Sequence, residues 1–311
     1  MVRRQLVTLV SALAVFPLWG IGATPAARVQ AAGPCGTTPL AQTAYRHVLW
    51  IFMENHSYSS IIGSRSAPYV NKLARQCGLA TNYHNITHPS LPNYVGATSG
   101  LSRSNLGRFS SDCTPTAGCS TAATSIFTQA PSWRAYEESM PSACDKAASG
   151  EYAPRHNPPL YFRSLHSCSQ HDVTYNHLAA DLSHNRLPAF AFVTPNFIDD
   201  MHDGTVKQGD TWLSEQVPRI LNSVAYRTGT LVVFLTGDEG EGGRSGDCAR
   251  NTTDVGCHVA TIVLSKSTPQ GKHSNRLFNH YSLLRTTEEL LNLPLLRQAR
   301  VFDSMRTPFN L

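Results

Sequence analysis

HVLWIFMENH, residues 47–56, decides the fold: a run apolar from Val48 to Met53 stops abruptly at Glu54, Asn55 and His56. Apolar residues at consecutive rather than alternate positions suit a strand covered on both faces. A second run of this kind, residues 231–236, leads into Asp238-Glu239, and residues 189–194 and 259–264 read the same way. Helical segments fall between them. Residues 67–76 follow the first strand, and residues 92–99 open another helix. Residues 210–225 carry Trp212, Leu213, Val217, Ile220 and Leu221 close to the helical repeat, and residues 281–291 carry Leu283, Leu284, Leu290 and Leu291. Strands alternating with helices imply an α/β protein, here a three-layer α/β/α sandwich with a largely parallel central sheet. Ligands gather at the carboxyl ends of strands in such sheets. Glu54, Asn196 and Asp238 fall there.

Residues 1–31 stand apart. Arg3 and Arg4 precede a mostly apolar stretch, and Val29-Gln30-Ala31 suits a small-residue cleavage site. That pattern is a secretory signal peptide, with an uncleaved anchor as the alternative. Residues 32–311 then read as one domain of about 280 residues, exported to the periplasm or beyond the cell. Losing Arg3, Arg4 and Arg28 lowers the formal charge from +5 to +2. So mild a charge argues against nucleic-acid partners and against a stable anionic-membrane partner. All eight cysteines follow the leader. In an exported chain an even number reads as disulfides, and local pairing gives Cys35–Cys77, Cys113–Cys119, Cys144–Cys168 and Cys248–Cys257. Residues 103–150, rich in Ser, Thr, Ala and Gly, read as an irregular, disulfide-tied excursion that caps the site.

The chemistry lies at the strand ends. Glu54 and Asn55 offer hard oxygens suited to a divalent cation. Asp238 and Glu239, directly after a buried strand, form an acid pair that is costly unless a cation neutralises it. Ser90 lies in HPSLPNY, residues 88–94, where Pro89 and Pro92 stiffen the backbone around the hydroxyl. A serine needs a base or a metal to become a nucleophile. His156 and Asn157 offer donors for phosphate oxygens. Asp199, Asp200, His202 and Asp203 crowd another strand end. There His202 suits protonation of a leaving group, or Asp200, His202 and His280 a second cation. Each group alone has an ordinary structural explanation. Together they follow the order one phosphate-ester site requires.

These runs resemble the secreted phosphoesterase family of acid phosphatases and phospholipases C within the alkaline-phosphatase-like superfamily. The similarity rests on ENHSY (54–58), HPSLPNY with Ser99-Gly100, RHNP (155–158), DMHD (200–203) with Gly209, Asp210, Trp212 and Leu213, GDEG (237–240) and HYSLLRT (280–286). The resemblance implies an alkaline-phosphatase-like fold and a divalent metal held by Glu54, Asn55, Asp238 and Glu239. It implies Ser90 as a transiently phosphorylated nucleophile, with Asn93, His156, Asn157 and His202 lining the phosphate. The implied activity is hydrolysis of a small phosphate monoester. The alternatives are a phospholipase C-type phosphodiesterase and a non-catalytic phosphate-ligand binder. Sulfatase relatives need Arg four residues after the nucleophile, where this chain has Tyr94.

Overall fold

The apolar runs become adjacent strands of one sheet. A computed structural model describes residues 1–2, 33–240, 248 and 256–311. Apart from Met1 and Val2, the expected signal peptide lies outside the described residues. Contacts divide the chain into Met1–Ala31 and Ala32–Leu311, and the fold belongs to the second unit.

Ten strands occur among the described residues: β1 His47–Met53, β2 Gly78–Ala80, β3 Tyr83–His84, β4 Trp133–Glu137, β5 Asp172–Thr174, β6 Phe190–Thr194, β7 Leu231–Gly237, β8 Thr261–Leu264, β9 Lys272–Ser274 and β10 Phe278–Asn279. Eight form the main sheet in the order β5-β4-β6-β1-β7-β8-β2-β9, and β10 pairs with β3 separately. β8 runs antiparallel to both its neighbours, while every other pair in the main sheet is parallel.

Side-chain alternation explains why β1 is apolar throughout. Val48, Trp50 and Phe52 enter one core, and Leu49, Ile51 and Met53 enter the other. The first core is completed by the helices Ser90–Ser99 and His280–Leu290 through Leu91, Tyr94, Val95, Leu283 and Leu284. The second is completed by Pro68–Gln76, Asn176–Ser183 and Val206–Leu221 through Val70, Leu73, Leu178, Leu213 and Val217. These are the two helical layers of the α/β/α sandwich.

The four disulfides are Cys35–Cys77, Cys113–Cys119, Cys144–Cys168 and Cys248–Cys257, as local pairing predicts. They fit a chain matured in an oxidising compartment. No helix among the described residues is long and apolar enough to cross a membrane.

The excursion at 103–150 is more ordered than its composition suggests. It contributes β4, which pairs with β6 from Trp133↔Phe190 to Glu137↔Thr194 and carries β5 on its other side. The polar residues of β4 have partners that composition does not reveal. Arg134 pairs with Asp181, and Glu137 accepts a hydrogen bond from Thr194 Oγ1 at 3.3 Å.

Candidate active site

Register alone brings the two acidic strand ends together. β1 and β7 pair in parallel up to Met53↔Gly237, so the next residues, Glu54 and Asp238, leave the sheet side by side. Backbone bonds fix both departures: Asp238 N–H donates to Met53 O at 2.9 Å, and Glu54 N–H donates to Asp200 O at 2.8 Å. Asn55 follows with φ +50°, and its N–H donates to Asp238 Oδ1 at 3.3 Å.

Ser90 reaches this edge from the first core's helix, which begins at Ser90, two residues earlier than the sequence suggests. Pro92 therefore sits in the first turn, where a missing N–H costs no helical bond. Gly100, with φ +67°, ends the helix in the left-handed conformation. Ser90 Oγ donates to Glu54 Oε2 at 3.1 Å and lies 3.5 Å from Glu239 Oε1. The hydroxyl thus lies between acids from opposite ends of the chain.

His156 packs beside them. Its Nε2 lies 3.4 Å from Glu54 Oε1 and its Nδ1 3.3 Å from Asp200 Oδ2. Glu54, His156 and His202 bring ligand atoms within 4.8 Å of one another. His202 has Nδ1 2.6 Å from Asp203 Oδ1 and Nε2 3.2 Å from Arg155 Nη2. A guanidinium only donates, so Nε2 accepts and Nδ1–H donates to Asp203.

The electrostatics are those of crowded, dehydrated acids. Burial drives Glu54 well above the ordinary carboxylate range, and the charges of Asp238 and Asp200 add to it. Burial, then Glu239, drives Asp238 up likewise. Asp200 is pushed up to about 8, chiefly by burial. Glu239 is also raised by burial, against the pull of His88. Burial lowers His156, and the charges of Arg155 and His202 lower it further.

Among the described residues, Asp238 Oδ2, Asp200 Oδ2 and His156 Nε2 are buried without a hydrogen-bond partner. Hard oxygens, a buried imidazole and unpaired acceptor atoms are the donor set a divalent cation takes. The residues present fit a metal ion.

Not every expected residue joins this cluster. Asn157 Nδ2 donates to both oxygens of Asp172, at 3.1 and 3.0 Å, and to Tyr152 Oη at 3.0 Å. It holds a second buried acidic pair, Asp172 and Glu137, in which burial pushes Asp172 up to about 7. His280 has both ring nitrogens engaged, Nδ1 with Tyr83 Oη at 2.9 Å and Nε2 with Asp238 O at 2.5 Å. It buttresses the Asp238 backbone and presents no free nitrogen to a second cation. Asn93 Oδ1 accepts from Ile86 and Thr87 N–H, both at 3.1 Å, while Nδ2 donates to Glu239 Oε2 at 3.2 Å. It clamps the Ser90 loop to Glu239.

Three neighbours escaped the sequence reading. Tyr94 Oη donates a short hydrogen bond to Glu54 Oε1. Its i, i+4 spacing from Ser90 on a helix was the available signal. Arg155 reaches His202 and stacks over Phe197, 4.6 Å from the ring centroid. Asp112, from the excursion, accepts Leu91 N–H at 2.9 Å and so joins the excursion to the start of the Ser90 helix.

A sheet whose strand ends gather buried acids, an imidazole and a serine defines a hydrolase acting on phosphoric esters. The chain belongs to the Phosphoesterase family, whose model matches residues 64–294. That span holds Ser90, Asp238 and His280, while Glu54 and Asn55 precede it. The chain is 28% identical over 264 residues to a phosphatidylinositol-3-phosphatase of Mycobacterium tuberculosis, covering 83% of this chain and 81% of the relative. It is 24% identical to an acid phosphatase of Aspergillus fumigatus, covering 81% of this chain but only 56% of that enzyme's length. In fold it is similar to a Vibrio parahaemolyticus protein of the alkaline phosphatase superfamily, at a TM-score of 0.55 and 13% identity, covering 90% of this chain and 76% of that one.

Proposed function

We propose that the protein is a secreted, metal-dependent phosphomonoesterase of acid-phosphatase type, with Ser90 as its nucleophile. One observation carries this reading: Ser90 Oγ lies 3.1 Å from Glu54 Oε2 and 3.5 Å from Glu239 Oε1, within a cluster of buried acids raised by burial and mutual charge. Glu54, Asn55, Asp238 and Glu239 would hold one divalent cation, with Asp200 beside it. When bound, the cation supplies the positive charge that neutralises these acids and favours the ionised Ser90 hydroxyl.

The chain's own groups account for the rest. Ser90 Oγ forms a bond to phosphorus as the ester O–P bond breaks. Glu54 Oε2, already accepting the hydroxyl hydrogen, is the nearest proton acceptor. Arg155 supplies positive charge for the phosphate oxygens, with the His156 ring packed beside them, and positioning plus charge stabilisation is most of what phosphoryl transfer needs. For His202 to give the departing alcohol its proton, Nε2 first takes one from solvent in place of its bond to Arg155, with Nδ1–H still held by Asp203. Water then hydrolyses the phosphoserine, releasing phosphate and restoring the hydroxyl. The position of Ser90 at a helix N-terminus adds a favourable dipole for the anion.

A panel of esters assayed with each divalent metal tests the substrate class. It includes p-nitrophenyl phosphate, a phosphoinositide monoester (after the name of the mycobacterial relative) and phosphatidylcholine. A stoichiometric burst of alcohol that disappears in Ser90→Ala and on chelation is expected. Full activity in Ser90→Ala overturns the mechanism, and cleavage of phosphatidylcholine alone overturns the monoesterase reading.

A further inference from the structure

We infer that His88 is the positioning residue that fixes the plane of the Glu239 carboxylate facing Ser90, and so tunes the affinity of the site for its divalent cation. The inference rests on the phosphoesterase reading for the identity of the site, but its geometry is independent of the reaction.

A chain of hydrogen bonds fixes the state of the His88 ring. Asn85 has one unambiguous partner, the carbonyl of Thr87, 2.6 Å from its Nδ2. A carbonyl only accepts, so the nitrogen of the Asn85 amide is identified by its partner. The same Nδ2 lies 3.4 Å from His88 Nε2. Among the described residues, the other neighbour of that ring nitrogen is Cys257 Sγ at 3.3 Å, a disulfide sulfur without a hydrogen to give. His88 Nε2 is therefore the acceptor nitrogen and Nδ1 carries the hydrogen. Nδ1–H donates to Glu239 Oε2 at 2.7 Å.

Oε2 also accepts from Asn93 Nδ2 at 3.2 Å. With two donors on one oxygen, the carboxylate plane cannot tilt away without stretching both bonds. Oε1 is left facing the Ser90 hydroxyl at 3.5 Å. Asn93 is buried and serves the loop backbone as well, whereas 36% of the His88 side chain is exposed at the rim. His88 can therefore be replaced without opening the core. Groups that orient a ligating carboxylate typically matter about 10- to 100-fold in metal affinity.

The experiment titrates the full chain with Mn²⁺, read by the loss of free-ion EPR signal, alongside thermal melts of the metal-free protein. His88→Ala should weaken Mn²⁺ binding about 10- to 100-fold. His88→Asn, whose amide can place a donor near the Nδ1 position, should recover most of that loss. His88→Gln, whose amide reaches toward the Nε2 position, should recover little. The metal-free melting temperatures should stay close to wild type. Unchanged Mn²⁺ affinity in His88→Ala overturns the inference. Equal recovery by Asn and Gln overturns it too, and that contrast carries the test if the alanine variant does not fold. Failure of the phosphoesterase reading looks different: wild type turns over no phosphate ester, or Ser90→Ala keeps full activity. A wild-type protein that binds no Mn²⁺ overturns both.

Discussion

Tyr94→Phe removes a single hydroxyl from the deepest part of the site. The ring stays, packed against Phe52 with centroids 5.4 Å apart and nearly parallel to His156 at 5.3 Å and 12°. No cavity larger than one oxygen is created. What disappears is the hydrogen bond to Glu54 Oε1, on a carboxylate only 1% exposed, so water cannot replace the lost donor. A hydrogen bond to a buried charged group is worth about 1.5–3 kcal/mol, which corresponds to roughly 10- to 150-fold in an equilibrium constant. The tyrosine favours ionised Glu54 against burial and the charges of Asp238 and Asp200. Without it the carboxyl rises further, protons compete better with the cation, and the defect grows as pH falls. Mn²⁺ titrations and kcat/KM for p-nitrophenyl phosphate, each run from about pH 5 to pH 8, measure both effects. Wild-type Mn²⁺ affinity with an unshifted pH profile refutes the assignment of Tyr94 as the support of Glu54.

Two further outcomes follow from the same geometry. Asp200 is pushed up to about 8 and Asp172 up to about 7, so the metal-free native state holds protons that the unfolded chain has released. The contribution of these two groups to stability should therefore be greatest at or below the ordinary carboxyl range and be lost as pH rises toward 7 and 8, while the lowered His156 and His280 contribute in the opposite sense, losing stability as pH falls below the ordinary histidine range. A divalent cation needs deprotonated ligands, so the gain in melting temperature on adding it should increase across that window. A gain that shrinks with rising pH contradicts the site. Asn157→Ala should cost about 1–3 kcal/mol by stripping Asp172 of its donor, seen as a melting temperature lower by several degrees, with KM for a phosphate ester near wild type. A large rise in KM at unchanged stability would instead make Asn157 a phosphate contact.

The framework was legible because its signals are local. Consecutive apolar residues from Val48 to Met53 suit a strand covered on both sides, and the acids directly after it and after β7 mark where that cover ends. Pairing each cysteine with a sequence neighbour matched all four disulfides, whose separations run from 6 to 42 residues. β4 and β5 were not legible. β5 has three residues, and β4 carries Arg134 and Glu137, whose partners Asp181 and Thr194 are far along the chain. The polar character of such a strand is neutralised by contacts that composition does not record.

The sequence by itself determined which residue types stand at each strand end, because burial period and chain order are properties of neighbouring residues. Only the tertiary structure decided which way those side chains face. It turned Asn157 onto Asp172 and closed both nitrogens of His280, and it set Tyr94 and His88 behind the two glutamates that flank Ser90. Hydrogen-bond partners are chosen across the fold, by the packing of segments up to about two hundred residues apart, and no local pattern encodes that choice.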